Sequence, residues 1–139
     1  MKAEIKVIKV KLDGKVLTID LAKELSINEN LLNSQLKDSP SSYYILCKLR
    51  DNYIKKRDAL EREKEEAYSK VWTYYKSSNE RYSNEQVSHL ANSNNKYCSL
   101  CKRYLKASAK ANMFISICRV YENRENILRT LSATLRKQQ

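Results

Sequence analysis

Apolar and polar residues alternate along Ile8-Lys9-Val10-Lys11-Leu12 and again along Lys15-Val16-Leu17-Thr18-Ile19, with Asp13-Gly14 between the two runs. Such a pair predicts a two-residue β-hairpin loop, because glycine readily adopts the left-handed φ that a type I′ turn demands. The resulting register sets Val10 opposite Leu17 and Ile8 opposite Ile19 on one face, with Lys9, Lys11 and Thr18 on the other. An isolated hairpin is marginal in water, so its apolar face is expected to pack on a helix or against another subunit. Asp20 then stands where it can cap a short helix carrying Leu21, Ala22 and Leu25, and Leu31, Leu32 and Leu36 form a second apolar cluster. Both read as turns that face a core.

Beyond this point the period changes. Ser39-Pro40 predicts the N-cap and first position of a long helix, where proline's missing donor costs nothing. Neither Gly nor Pro follows before Lys76. Leu46, Tyr53, Leu60, Ala67 and Tyr74 recur every seven residues, and Arg50, Arg57, Lys64 and Val71 take the alternate heptad position, so the seam is apolar and half basic. A helix of about 37 residues spans about 55 Å, beyond the diameter of a small domain, and a monomer is not expected to bury it along its length. Residues 77–82 read as a polar connection, and Ser83-Asn84-Glu85-Gln86 as a capping box. A last helix is expected to about Arg136, with a possible break at Asn92-Ser93-Asn94-Asn95. Leu100, Tyr104, Ala107, Ala111, Phe114, Cys118, Tyr121, Leu128 and Leu135 form its stripe, widened by Ile117, Ile127 and Leu131, as a core or an oligomer interface. The fold expected is mainly α: a hairpin with short helices over 1–38, then two long helices (about 40–76 and about 83–136) over 39–139, forming an oligomeric helical assembly.

Composition narrows the chemistry. One Gly and one Pro in 139 residues exclude most all-β folds, P-loops and dinucleotide fingerprints, which need several glycines. Hydrophobic residues at 42% and charged ones at 31% suit a folded chain. No stretch approaches the roughly 18 apolar residues of a membrane span, and Met1-Lys2-Ala3-Glu4 lacks the apolar core of a signal peptide, so a cytoplasmic protein with no membrane partner is expected. No catalytic constellation is visible. His89, the only histidine, sits in a polar stretch without a nearby nucleophile or carboxylate orienter and reads as a surface or capping residue, so no enzyme is expected. Cys98 and Cys101 have metal-ligand spacing, but zinc would need two more ligands from Cys47, Cys118 and His89, and these form no second close pair. Free thiols, no metal and no cofactor are the expectation.

Charge points toward a polyanion. Lys and Arg number 27 against 16 Asp and Glu, a net +11, and from residue 79 onward eleven basic residues face four acidic ones. In contrast, the five basic and five acidic residues between Lys55 and Glu66 balance as i,i+4 pairs and read as a solvated helix face. Lys70-Val71-Trp72-Thr73-Tyr74-Tyr75-Lys76 sets three aromatics between lysines, as a strand-stacking surface would. The competing reading is that Val71, Tyr74 and Tyr75 continue the apolar stripe. Lys102, Arg103, Lys106 and Lys110 form a second basic patch at helical spacing, suited to phosphate contact or to plain solvation. Nothing here reads bases, so binding would be electrostatic and indifferent to sequence.

The order of these features resembles a known family. Thr18-Ile19-Asp20 leads into a short helix and a Leu cluster, then a Ser-Ser helix start and a long charged helix ending in Trp72-Thr73-Tyr74-Tyr75. A polar turn with Glu80 and Tyr82 and a final helix entered through Leu90-Ala91-Asn92-Ser93 complete the series. From about Lys15 to Lys137 this is similar to the recombination mediators of T4-like phages, the UvsY type. The resemblance implies a small, mainly helical protein that forms a ring, of six to eight subunits, and binds single-stranded DNA in the host cell cytoplasm. It also implies help in loading a RecA-like recombinase onto strand coated by single-strand-binding protein. Family DNA contacts include basic residues just before the tyrosine pair. Only Lys70 is basic there in this chain, which moves the expectation toward Lys64, Lys76 and the Lys102 to Lys110 patch. The candidate DNA-binding residues are Arg57, Lys64, Lys70, Trp72, Lys76, Lys102, Arg103, Lys106 and Lys110. The alternative is a helical structural or adaptor oligomer without nucleic-acid binding, whose stripe serves assembly and whose charge serves solubility.

Overall fold

The computed structural model describes residues 7–28 and 31–138; Met1 to Glu4 and the side chain of Leu32, both read above, lie outside it. The chain is mainly α-helical with one small antiparallel sheet. In order it forms β1 (Val7–Leu12), β2 (Lys15–Asp20), α1 (Leu21–Leu25), α2 (Leu32–Lys76), α3 (Asn84–Asn92) and α4 (Asn95–Lys137). No described helix is long and apolar enough to cross a membrane.

Two compact units share the long helices. One takes in the chain up to Arg50 together with Phe114 onward, and the other runs from Asp51 to Met113. In the first unit, Asp13 (φ 52°) and Gly14 (φ 77°) turn the hairpin through the left-handed region. Val10 pairs with Leu17 and Ile8 with Ile19, as their alternation predicts. Val10 and Ile19 are buried, while Val7 and Val16 on the opposite face are exposed. The chain's own helix α2 meets the buried face. Leu17 and Ile19 line a small pocket with Ile45 and Leu46 of α2, and Lys48 Nζ donates to Asp13 Oδ2 at 2.7 Å. Asp20 caps α1 by accepting from the Ala22 and Lys23 amides. Leu31, expected to face a core, is instead exposed.

The start of α2 corrects the expectation placed on Ser39-Pro40. The helix begins at Leu32 and carries Pro40 in its interior, where proline ordinarily costs about 3 kcal/mol. Tertiary anchoring overrides that penalty. Gln35 donates from Nε2 to the Ser26 carbonyl and accepts the Asn28 amide, tying down the first turn. Ser39 is buried, its hydroxyl donating to the Gln35 carbonyl, and its own carbonyl accepts the Tyr121 hydroxyl of α4 at 3.2 Å. Arg124 reaches the same residue from Nη1 at 3.3 Å and donates from Nε to the Ser26 carbonyl at 3.0 Å. The core here is Leu46 and Leu49 of α2 against Phe114, Ile117, Cys118, Tyr121 and Leu128 of α4.

Burial pushes the Cys118 thiol from the ordinary 9.0 up to about 11. A raised pKa means that the folded state holds this proton more tightly than the unfolded one. The stabilisation is therefore complete below pH 9 and is lost as pH rises through about 11. Chemical denaturation at a series of pH values is expected to show a steeper alkaline fall for the wild type than for Cys118→Ala. Tyr43, raised above the ordinary tyrosine range by its hydrogen bond to the Glu122 carboxylate, acts in the same direction at still higher pH. Equal slopes in the two proteins would contradict the assignment to Cys118.

In the second unit, Leu60 and Ala67 of α2 pack with Leu100 and Ala107 of α4, flanked by Tyr97 and Tyr104. Val87 and Ala91 of α3 are fully buried. The capping box forms as read: the Gln86 amide donates to Ser83 Oγ at 3.1 Å, and the Ser83 amide to Gln86 Oε1 at 2.9 Å. The asparagine-rich break separates α3 from α4, with Asn94 Oδ1 accepting the Tyr97 amide. Tyr74, one of the seven-residue apolar series, departs from it and is 71% exposed.

Candidate nucleic-acid interface

All nine candidate residues lie in the second unit, on the C-terminal part of α2 and the N-terminal part of α4. They divide by what their charges touch. Arg57 donates from Nε to Asp58 Oδ1 at 3.1 Å, a local pair on a partly exposed surface. Lys64 is half-buried, its ammonium 4.4 Å from the Tyr104 ring centre. Their heptad position explains both placements: it borders the buried seam, so each side chain lays its stem on apolar surface and finds a partner for its head.

Lys76 is likewise engaged. It ends α2, donates from Nζ to the Tyr82 carbonyl at 3.2 Å and stands 5.7 Å from the Trp72 ring centre, stapling the polar turn to the helix. Trp72 itself is half-buried, 6.5 Å from Tyr68 between ring centres, and its indole Nε1 is buried with no hydrogen-bond partner among the described residues. Its neighbour two positions on faces outward. Tyr74 meets Tyr75 edge-on at 5.1 Å, Tyr75 meets Tyr82 edge-on at 5.2 Å, and the Tyr82 hydroxyl donates to Glu80 Oε2 at 2.6 Å. That hydrogen bond to a carboxylate holds the Tyr82 phenol above its usual range.

Lys102, Arg103, Lys106 and Lys110 are all exposed on α4. Their spacing of one, four and eight residues gathers them on one side of the helix. No acidic residue occurs between Glu85 and Glu122, so no carboxylate of α4's first half neutralises this row. Lys110 alone has an aromatic contact, its ammonium 5.6 Å from the Tyr53 ring centre. A row without an ion pair among the described residues suits a run of phosphates.

Lys96 stands outside the candidate set. It lies in the first turn of α4, against the helix dipole and without an acidic companion, a small electrostatic oddity that was the available signal. The cysteines with metal-ligand spacing are half-buried: Cys98 Sγ donates to the Asn92 carbonyl at 3.1 Å, and the nearness of Cys101 holds the Tyr97 phenol above its usual range. Comparisons with protein families, with curated proteins and with solved structures found no match.

Proposed function

We propose that this chain is an oligomeric, sequence-nonspecific single-stranded DNA-binding protein that acts as a recombination mediator. In this reading it is not an enzyme, and it helps a RecA-like recombinase load onto strand coated by single-strand-binding protein. The likeness to the UvsY type in the order of sequence features supports the biological role. The observation that carries DNA binding is the exposed row Lys102, Arg103, Lys106 and Lys110, none of which makes an ion pair among the described residues. Four cations on one helix face meet successive phosphates through charge alone, with nothing beside them that distinguishes one base from another. Each subunit then binds modestly, and a ring of six to eight subunits multiplies the contacts along one strand.

The second reading, a helical structural or adaptor oligomer, draws on Arg57, Lys64 and Lys110, whose charges meet Asp58, Tyr104 and Tyr53. Salt separates the two. Binding by counterion release predicts that affinity for single strands falls with a log–log slope of about −0.7 per neutralised phosphate. Replacing Lys102 and Lys106 by glutamine is expected to flatten that slope by about 1.4 while leaving the helical content unchanged. Fluorescence anisotropy of labelled oligonucleotides at several salt concentrations measures both. Absence of binding at low salt, or an affinity that ignores salt, favours the adaptor.

A further inference from the structure

Lys70, Val71, Tyr74 and Tyr75 of α2 line an open groove of about 350 Å³ together with Asn94 and Lys96 at the start of α4. Its size falls within the range of small-ligand sites. The floor is apolar, with Ala67 buried and Val71 half-buried, and the rim carries two cations. Among the described residues neither Lys70 nor Lys96 makes an ion pair, although Glu66 stands one turn before Lys70. Tyr74 leaves 71% of its surface in water. Its ring stands on the groove beside Tyr75, so the aromatic pair offers a flat apolar face to a ligand.

We propose that this groove is a base-stacking subsite, in which one unpaired nucleobase lies on the Tyr74 ring while the phosphates flanking it are held by Lys70 and Lys96. The inference rests on the DNA-binding reading and assigns to it a residue set that charge alone does not reach. The platform is prepared by its neighbours. Tyr75 buttresses Tyr74 edge-on, Tyr82 buttresses Tyr75, and Glu80 anchors Tyr82, so the turn after α2 fixes the ring's direction before a base arrives. Trp72 is excluded from the role because its ring packs toward Tyr68 and its indole nitrogen is buried. Every base has a π face, so such a subsite adds affinity without adding sequence preference. It does add a requirement that phosphate binding lacks: the base must be unpaired.

The test uses the full-length protein with two oligonucleotides of equal length, one of thymidine and one of abasic sites on the same phosphate backbone. Tyr74→Ala is expected to weaken thymidine binding by about 5- to 150-fold per occupied site, and to leave abasic binding unchanged. Tyr74→Phe keeps the ring and is expected to bind as the wild type does. The high exposure of Tyr74 makes loss of folding in these variants a minor concern, and circular dichroism monitors it. Replacing Lys70 and Lys96 by glutamine is expected to lower the salt slope for both oligonucleotides. Equal thymidine affinity for wild type and Tyr74→Ala, with the salt dependence intact, overturns the subsite and leaves the DNA-binding reading standing. Failure of the wild type to bind either oligonucleotide overturns both.

Discussion

Replacing Val120 and Ile127 together by lysine is expected to give a folded protein that no longer assembles and has lost most of its affinity for single strands, despite two added positive charges. Both residues are about half exposed, at 49%, and with Met113 they recur every seven residues along α4. That spacing keeps them on one side of the helix, as a seam for a second helix would be kept. Exposed apolar side chains occurring singly need no explanation, but a periodic series outside the core is what the proposed assembly would cover. Lysine is the instructive replacement because it separates two effects. If each chain bound DNA by itself, the added charge would tighten binding. If affinity comes from many modest sites on one ring, dissociation removes avidity worth about 10²- to 10⁴-fold, more than two lysines restore. Multi-angle light scattering reads the assembly and anisotropy the affinity. A folded monomer that binds as tightly as the wild type, or a variant that still assembles, contradicts the expectation.

Burial, which periodicity does not report, separates those positions from others on the same stripe. Ile117 and Ile127 both widen the apolar stripe of the last helix, and periodicity alone does not separate them. Ile117 is buried and Ile127 exposed, so a charge at the first would disrupt the core of its own unit before it touched any assembly. The hairpin was legible to the level of register because Asp13-Gly14 specifies its own turn, and the capping box because both partners lie within four residues. The start of α2 was not. Ser39-Pro40 carries strong local punctuation, and the contacts that defeat it, from Tyr121 and Arg124, come from more than eighty residues away. The same limit applies to the candidate interface. Its basic row could be seen as a charge pattern, whereas the direction of Tyr74 and the approach of Lys96 to Lys70 depend on how two helices meet.

Arg124→Ala is expected to destabilise the unit formed by the chain up to Arg50 and from Phe114 onward by about 3–5 kcal/mol, the usual cost of removing one member of a buried pair. Its position in the stripe is that of an apolar residue, midway between Tyr121 and Leu128, and its side chain is only 7% exposed. Nε and Nη1 are both engaged. Nε reaches the Ser26 carbonyl at 3.0 Å, Nη1 reaches Ser39 Oγ at 3.3 Å and Glu125 Oε1 at 2.9 Å, and the guanidinium lies 5.0 Å from the Tyr121 ring centre. Truncation leaves the Glu125 carboxylate, itself largely buried, without its partner, and frees the segment near Ser26 from α4. Lysine keeps the charge but donates from a single nitrogen, which does not span the acceptors that Nε and Nη1 reach separately, so Arg124→Lys is expected to recover only part of the loss. The double replacement Arg124→Met with Glu125→Gln removes both charges and is expected to lie nearer the wild type than Arg124→Ala. Because the two units need not unfold together, the readout is hydrogen exchange of amides in residues 34–50 and 114–135, compared with those of residues 55–75 as an internal reference. The alanine variant should lose protection selectively in the first set. Protection within about 0.5 kcal/mol of the wild type there, the range of an ordinary surface substitution, would show that the buried guanidinium does not hold this unit together.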